Sequence, residues 1–176
     1  MNILIIGFGN MGKLHYKKIK SIDSKIDISV LDTKIEDFND DIKILKDIQN
    51  ADKFEAVIIS TPTENHIEYL EKALNLTSVI FIEKPICSNK NDFEVYKQLD
   101  LKNKFVFTGL IEMHNLIFEK AKKYLTEKPI GIEIFRHSPA INSSRLSEDA
   151  YLDLAAHDLS VLFKHFINKS DIENVT

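Results

Sequence analysis

Gly7-Phe8-Gly9-Asn10-Met11-Gly12 is a G-x-G-x-x-G stretch that follows an apolar run at residues 3–6 and opens an amphipathic segment at residues 11–22. In this setting the first glycine permits a tight turn, the second lets a pyrophosphate approach the backbone, and the third lets the helix pack on the strand. The start of the helix would face the anion with its N–H groups. We therefore predict a dinucleotide-binding loop with contacts from Gly7, Gly9, Asn10, Met11 and Gly12. A glycine turn that only packs a helix on a sheet is the alternative.

An acidic residue strengthens this interpretation by its position. Asp32 directly follows the second apolar run, residues 26–31, and comes 20 residues after Gly12. A carboxylate placed there accepts hydrogen bonds from the hydroxyls of the adenine-side ribose and repels a 2′-phosphate. Asp32 therefore predicts NAD as the cofactor. Lys34, two residues on, offsets part of that repulsion and keeps NADP open as the alternative.

Apolar runs alternate with longer amphipathic stretches over the first part of the chain. The runs are unbroken, which is typical of strands buried on both faces of a parallel sheet. They lie at residues 3–6, 26–31, 56–59, 79–82 and 105–107, with a shorter candidate at 42–45. Helical patterns lie between them at residues 11–22, 64–76 and 92–99. This alternation predicts an α/β fold, a doubly wound parallel Rossmann sheet that forms a dinucleotide-binding domain over residues 1–109.

The pattern changes after Gly109. Residues 111–125 predict a helix, residues 131–135 a strand, residues 137–148 a loop and residues 149–167 a long helix. One strand cannot make a sheet, because both of its edges would be unpaired. Residues 110–176 are therefore expected to form an incomplete second α/β domain. It would be either a part of a longer protein or a half that closes by forming a homo-oligomer.

Polar residues follow two of the predicted strands at the carboxyl edge of the sheet, where ligands bind in open α/β folds. After the strand at 56–59, Thr63 is a candidate helix N-cap. After the strand at 79–82, Lys84 would project into the crevice, where an ammonium group can stabilise an alkoxide or join a proton relay. The further candidates for cofactor contacts at this edge are Thr61, Pro62, His66, Glu83 and Lys84.

Two titratable residues stand one helical turn apart in the last predicted helix. Asp153 and His157 share one helix face, and a carboxylate beside an imidazole raises its basicity and fixes its tautomer. That arrangement suits a general base. The same pair could ligate a metal ion, with His165 two turns away as the third donor, and the spacing alone does not separate the two interpretations. We expect no metal site.

The full set of motifs resembles the Gfo/Idh/MocA family of oxidoreductases. The set comprises the glycine stretch with His15 three residues on, Asp32, T-P-x-x-x-H at 61–66, E-K-P at 83–85 and D-x-x-x-H-D at 153–158. The resemblance implies a Rossmann domain, a second α/β domain, and NAD(P)-dependent oxidation or reduction of a carbinol of a sugar or inositol. It also implies that His157 moves the hydroxyl proton, Asp153 holds the imidazole and Lys84 stabilises the alkoxide.

A narrower likeness concerns the substrate. The stretch G-L-I-E-M-H-N at 109–115 is similar to the G-H-I-E-R-F-N of sugar-nucleotide dehydrogenases within this family, with Leu110 and Met113 among the differences. The likeness implies that Arg136 and Arg145 face the substrate, where guanidinium groups would bind a diphosphate. The expected partner is thus a small polyol or sugar nucleotide.

Composition excludes several other classes of protein. The net charge of −4 and pI of about 5.9 argue against nucleic acid and anionic membranes as partners. No apolar run is long enough for a signal peptide or a membrane helix. The one cysteine, Cys87, excludes a disulfide framework and reads as a packing residue, so a cytoplasmic location is expected.

Two functional alternatives to a dehydrogenase stay open. The first is a dinucleotide-binding module without catalysis, which the short second domain favours. The second is a metal-dependent hydrolase that uses Asp153 and His157.

Overall fold

The structure is a computed structural model that describes residues 1–34, 42–48, 53–127, 129–135 and 154–167. The chain divides into two compact units, Met1–Gly109 and Leu110–Thr176. The first unit contains the sheet and the glycine stretch, and the second unit contains His157.

The first unit is built on a six-stranded parallel sheet in the order β3-β2-β1-β4-β5-β6. The strands are β1 (Asn2–Ile6), β2 (Asp27–Leu31), β3 (Lys43–Leu45), β4 (Ala56–Ile59), β5 (Val79–Ile82) and β6 (Phe105–Thr108). This is the strand order of the dinucleotide-binding doubly wound fold, in which the order reverses between β1 and β4. The predicted fold class and all six predicted strands of this unit are confirmed.

Helices cover both faces of the sheet, as the unbroken apolar runs require. They are α1 (Asn10–Ile22), α2 (His66–Ala73) and α3 (Lys90–Gln98). Leu4 and Ile6 of β1 belong to a core cluster that includes residues of α2, whereas Ile5 lies in the cluster with Tyr16 of α1. β1 thus buries alternate side chains on opposite faces, which explains why apolar and polar residues do not alternate along it.

The carboxyl edge of the sheet aligns the residues that follow four of the strands. Each strand's hydrogen-bond ladder continues for one residue, because the next backbone N–H donates to the last carbonyl of a neighbouring strand. These bonds run from Gly7 to Leu31, Ser60 to Ile6, Glu83 to Ile59 and Gly109 to Ile82, at 2.8–2.9 Å. The glycine stretch, the residues 60–62 that follow β4 (the Thr61 segment) and the E-K-P segment at 83–85 therefore begin side by side.

The second unit departs from the sequence prediction in two places. The predicted helix over 111–125 is a 3-10 turn, Ile111–His114, followed by α4, Leu116–Lys122. The break falls at Asn115, whose extended backbone (ψ 113°) and side-chain acceptor cap α4 by a bond from the Ile117 N–H. The predicted strand at 131–135 was wrong as well: these residues have no strand structure, and Phe135 is 78% exposed.

The last described helix is α5, Ala156–His165, which matches the later part of the predicted helix over 149–167. It packs within its unit against the 3-10 turn: His165 is buried, and its Nε2 donates to the Met113 carbonyl at 2.9 Å. The His165 ring also stacks on Phe118, with ring centres 5.9 Å apart. The predicted loop at 137–148 and the start of the predicted helix lie outside the described residues.

Candidate functional site

The three glycines of the G-x-G-x-x-G stretch differ in what surrounds them. A Cβ on Gly7 would lie 2.7 Å from the Ser60 backbone, and Gly7 also has a φ of +87°. A Cβ on Gly12 would lie 2.1 Å from the Gly7 carbonyl oxygen. A Cβ on Gly9 would meet no atom of the described residues within 4 Å. Gly7 and Gly12 are thus required by packing, whereas Gly9 leaves open space beside its backbone.

The start of α1 offers an anion site beside that open space. Gly9 is the N-cap residue, and no side chain of the described residues caps the helix at this end. The first turn contains no acidic residue, and Asn10 and Met11 are exposed. The N–H groups and the positive end of the helix dipole are therefore directed at solvent, as a phosphate ligand requires.

Asp32 is held beside the glycine stretch by two backbone bonds. Its Oδ2 accepts from the Phe8 N–H at 2.6 Å, and its Oδ1 accepts from the Lys34 N–H at 2.7 Å. A carboxylate offers about four lone-pair sites, so these two bonds leave capacity for ribose hydroxyls. The structure therefore brings Asp32 to the same loop as the glycines, as the sequence spacing predicts.

The segment after β4 places the Ser60 hydroxyl beside the glycine stretch. The Ser60 hydroxyl donates to the Gly7 carbonyl at 2.8 Å, a contact that the sequence did not indicate. The Thr61 hydroxyl is buried and has no hydrogen-bond partner among the described residues. Thr63 is not the N-cap of α2: a 3-10 turn, Thr63–Asn65, begins after Pro62, and α2 starts at His66.

His66 is 1% exposed, and both of its ring nitrogens face backbone carbonyls. Its Nδ1 lies 2.7 Å from the Pro85 carbonyl oxygen, and its Nε2 lies 3.0 Å from that of Thr61. The ring thus bridges the segments that follow β4 and β5.

The E-K-P segment is tied to α1 through a histidine. His15 Nε2 lies 2.6 Å from Glu83 Oε1, with both side chains mostly buried, and the His15 ring also packs edge-on against Phe81. Lys84 is half-buried, and its peptide bond to Pro85 is cis. Sequence reasoning noted His15 as part of a motif but missed its contact, because the two residues are 68 positions apart.

Cys87 follows this segment closely. Burial raises the pKa of the Cys87 thiol, and the negative charge of Asp92 raises it further by a smaller amount. A thiol with a raised pKa forms less thiolate, which agrees with its interpretation as a packing residue.

His157 lies in the second unit, in the first turn of α5. The residue is half-buried with its Nδ1 atom shielded from solvent, and its carbonyl accepts from the Ser160 hydroxyl at 2.6 Å. Asp153, Arg136 and Arg145 lie outside the described residues, so the pairing of Asp153 with His157 stays a prediction.

Within the described residues, no group of three or more histidine, cysteine, aspartate or glutamate side chains could hold a metal ion. Among these residues, too, no helix has the length and apolar character needed to span a membrane.

Known proteins are similar to this chain in sequence and in fold. A myo-inositol 2-dehydrogenase of Thermotoga maritima is 25% identical over 193 aligned positions, covering 99% of this chain and 57% of that enzyme. The chain thus spans about half the length of the curated relatives it matches.

Two solved structures show the same fold. An NAD-binding protein from Listeria innocua has a TM-score of 0.64 at 21% identity, over 92% of this chain and 54% of that one. The WlbA dehydrogenase from Chromobacterium violaceum, in complex with NADH and UDP-GlcNAcA, has a TM-score of 0.56 at 16% identity, over 70% and 39%.

Residues 1–109 match the model of one family, described as an oxidoreductase family with an NAD-binding Rossmann fold. The match covers the whole sheet, the glycine stretch, Asp32 and the E-K-P segment. The resemblance seen in the motifs is therefore confirmed, and the chain belongs to the Gfo/Idh/MocA oxidoreductase family.

Proposed function

We propose that this chain supplies the cofactor-binding domain and the catalytic histidine of an NAD-dependent dehydrogenase. Its substrate would be a carbinol, or the matching ketone, of an inositol, a sugar or a sugar nucleotide. The observation that carries the proposal is the glycine stretch at the point where the strand order reverses, with open space at Gly9 and Asp32 beside it. The inositol 2-dehydrogenase of Thermotoga maritima supports the inositol class, and the UDP-sugar in the WlbA complex supports the sugar-nucleotide class.

The residues present suit a dinucleotide. The exposed start of α1 and the space at Gly9 would take the pyrophosphate, and Asp32 would take the adenine-side ribose. The buried Thr61 hydroxyl offers a donor and acceptor at the same edge. Asn10 and Met11 would border the pyrophosphate, while Pro62, Glu83 and Lys84 would border the remaining half.

When bound, the nicotinamide accepts or supplies the hydride. His157 would take or return the substrate hydroxyl proton at Nε2, because Nδ1 is shielded from solvent. Asp153 would hold the imidazole, and the Lys84 ammonium would stabilise the developing alkoxide. Arg136 and Arg145 would bind the diphosphate of a sugar nucleotide.

The first test is calorimetric titration of the full chain with NAD⁺ and NADP⁺. We expect NAD⁺ to bind and NADP⁺ to bind more weakly, because Asp32 repels a 2′-phosphate. Absence of binding by both cofactors would overturn the proposal.

The second test measures turnover with myo-inositol and with UDP-sugars. Lys84→Met and His157→Ala are both expected to remove turnover. His157→Ala should also keep NAD⁺ affinity within a few-fold of wild type, because the role assigned to His157 concerns the substrate hydroxyl alone. Binding of NAD⁺ without turnover on any substrate would identify a dinucleotide-binding module instead. Turnover that depends on an added metal would favour the hydrolase alternative.

A further inference from the structure

His66 has a position that cofactor contact alone does not explain. The ring is 1% exposed, and each nitrogen lies at hydrogen-bond distance from a backbone carbonyl oxygen. Carbonyl oxygens only accept, so each bond needs an N–H from the ring. A neutral imidazole donates to one carbonyl at a time, and a doubly protonated ring donates to both. In either state, the His66 ring lies between these two carbonyl oxygens and donates to at least one of them.

The two carbonyls belong to the segments that would contact the nicotinamide half of the proposed dinucleotide. Thr61 follows β4 and Pro85 follows β5, directly after Lys84. A dinucleotide lies across the point of strand-order reversal, one half on each side. Asp32, after β2, takes the adenosine half, so the segments after β4 and β5 lie under the nicotinamide half.

We propose that His66 is a positioning residue that fixes the Glu83-Lys84-Pro85 backbone against the Thr61 segment and thereby sets the affinity for the nicotinamide half. The inference rests on the proposed function. It assigns His66 an indirect role, because its ring nitrogens are engaged with the protein. Loss of these bonds would let the backbone of Lys84 move relative to Thr61 without disturbing the glycine stretch.

The test compares two ligands and three variants of the full chain by calorimetry. ADP carries the adenosine half and the diphosphate, and NAD⁺ adds the nicotinamide half. His66→Leu removes both ring nitrogens at similar volume, whereas His66→Gln keeps N–H donors. The matched control is Thr77→Val: Thr77 is a buried side chain whose hydroxyl donates to Glu55 and accepts from Val79, at the opposite ends of the same two strands.

In His66→Leu we expect NAD⁺ affinity to fall about 3- to 30-fold, which is the range for residues that couple through a packed network. ADP affinity should stay within about twofold of wild type. His66→Gln should recover part of the loss, and Thr77→Val should leave both affinities unchanged. An equal fall for both ligands, or unchanged NAD⁺ affinity in His66→Leu, would overturn the proposal. Failure of wild-type protein to bind NAD⁺ would instead overturn the proposed function.

A measurement without ligand tests the positioning role of His66 independently of whether the chain binds NAD⁺. Backbone amide signals of Lys84 and Ile86 should shift in the NMR spectrum of His66→Leu and return toward wild type in His66→Gln, while those of Phe8 and Gly9 stay in place. Unmoved Lys84 and Ile86 signals would refute a positioning role whether or not cofactor binds.

Discussion

The first turns of α1 and α3 differ in whether a side chain of the described residues satisfies their backbone N–H groups. Both helices follow parallel strands of one sheet, and both have backbone N–H groups in the first turn without partners inside the helix. At α3, the Asn89 side chain accepts from the Asp92 N–H at 3.0 Å, and the Asp92 carboxylate accepts from the Ser88 N–H and hydroxyl at 2.9 and 2.5 Å. At α1, Gly9 has no side chain to offer, and the first turn has no acidic residue.

This difference separates a helix start made for stability from one suited to a ligand. A capping side chain satisfies the N–H groups and places partial negative charge at the positive end of the helix. The start of α3 therefore has its negative partner within its own sequence. The start of α1 leaves that place to an anion from solution. Substitutions at the two starts should thus change different measured quantities.

The largest expected effect is on stability, from Gly12→Ala. The new Cβ would lie 2.1 Å from the Gly7 carbonyl oxygen, so α1 would have to move away from β1. Forced overpacking of this kind costs about 1–3 kcal/mol of unfolding free energy. Urea denaturation measures the loss. Gly131→Ala is the control, because a Cβ there meets no described atom within 4 Å; equal stability of the two variants would contradict the packing role of Gly12.

Gly9→Ala should have the opposite profile. Its φ of −70° suits any residue and its Cβ would enter open space, so the free energy of unfolding should stay within about 1 kcal/mol of wild type. The same methyl group would occupy the space beside the helix start. We expect NAD⁺ affinity to fall by about tenfold or more, equivalent to about 1.4 kcal/mol, in calorimetry. Wild-type affinity in this variant would show that the anion site lies elsewhere.

The first unit was predictable because its signals are local. The glycine stretch, the apolar runs and Asp32 each depend on neighbours within one strand–helix–strand unit. The structure confirms the apolar runs as strands and places Asp32 beside the glycine stretch. The bridges made by His15 and His66 were not predictable in the same way. Each joins segments that come together only when the sheet forms, with β4 paired to β1 and β5 paired to β4, and the sequence distance gives no signal of it.

The second unit shows where periodicity misleads. Ile132 and Ile134 alternate with polar or small residues, as in a strand, but a strand needs a neighbour and none is present in the described part of this unit. The helical pattern over 111–125 hides an interruption because Asn115 caps a helix more favourably than it continues one. The strand error arises because a short pattern does not specify its neighbours, and the helix error arises because a capping residue lies within the pattern.

Asn89→Ala should lower the free energy of unfolding and leave NAD⁺ affinity unchanged. Removing the N-cap acceptor leaves the Asp92 N–H without its side-chain partner, which costs about 1 kcal/mol of unfolding free energy. Asn89→Asp keeps an acceptor and serves as the control in the same urea experiment. NAD⁺ affinity should be unchanged in both variants, and a parallel loss of affinity would remove the distinction between the two helix starts.

The smallest expected effect is the pH dependence of α3 stability. Hydrogen bonds from Ser88, chiefly its hydroxyl, lower the pKa of the Asp92 carboxyl below its usual range. Because the folded pKa lies below the unfolded one, the ionised carboxylate stabilises the fold above the unfolded pKa, and this contribution is lost as pH falls through the folded pKa.

The stability difference between wild type and Asp92→Asn should therefore be complete at neutral pH and shrink below about pH 4. Urea unfolding at a series of pH values measures it, and Ser88→Ala should reduce the pH dependence by removing the hydroxyl donor. A difference that stays constant with pH would mean that the Asp92 side chain acts through shape alone. A difference that shrinks would show that α3 takes from its own carboxylate the negative charge that, in our proposal, a dinucleotide brings to α1.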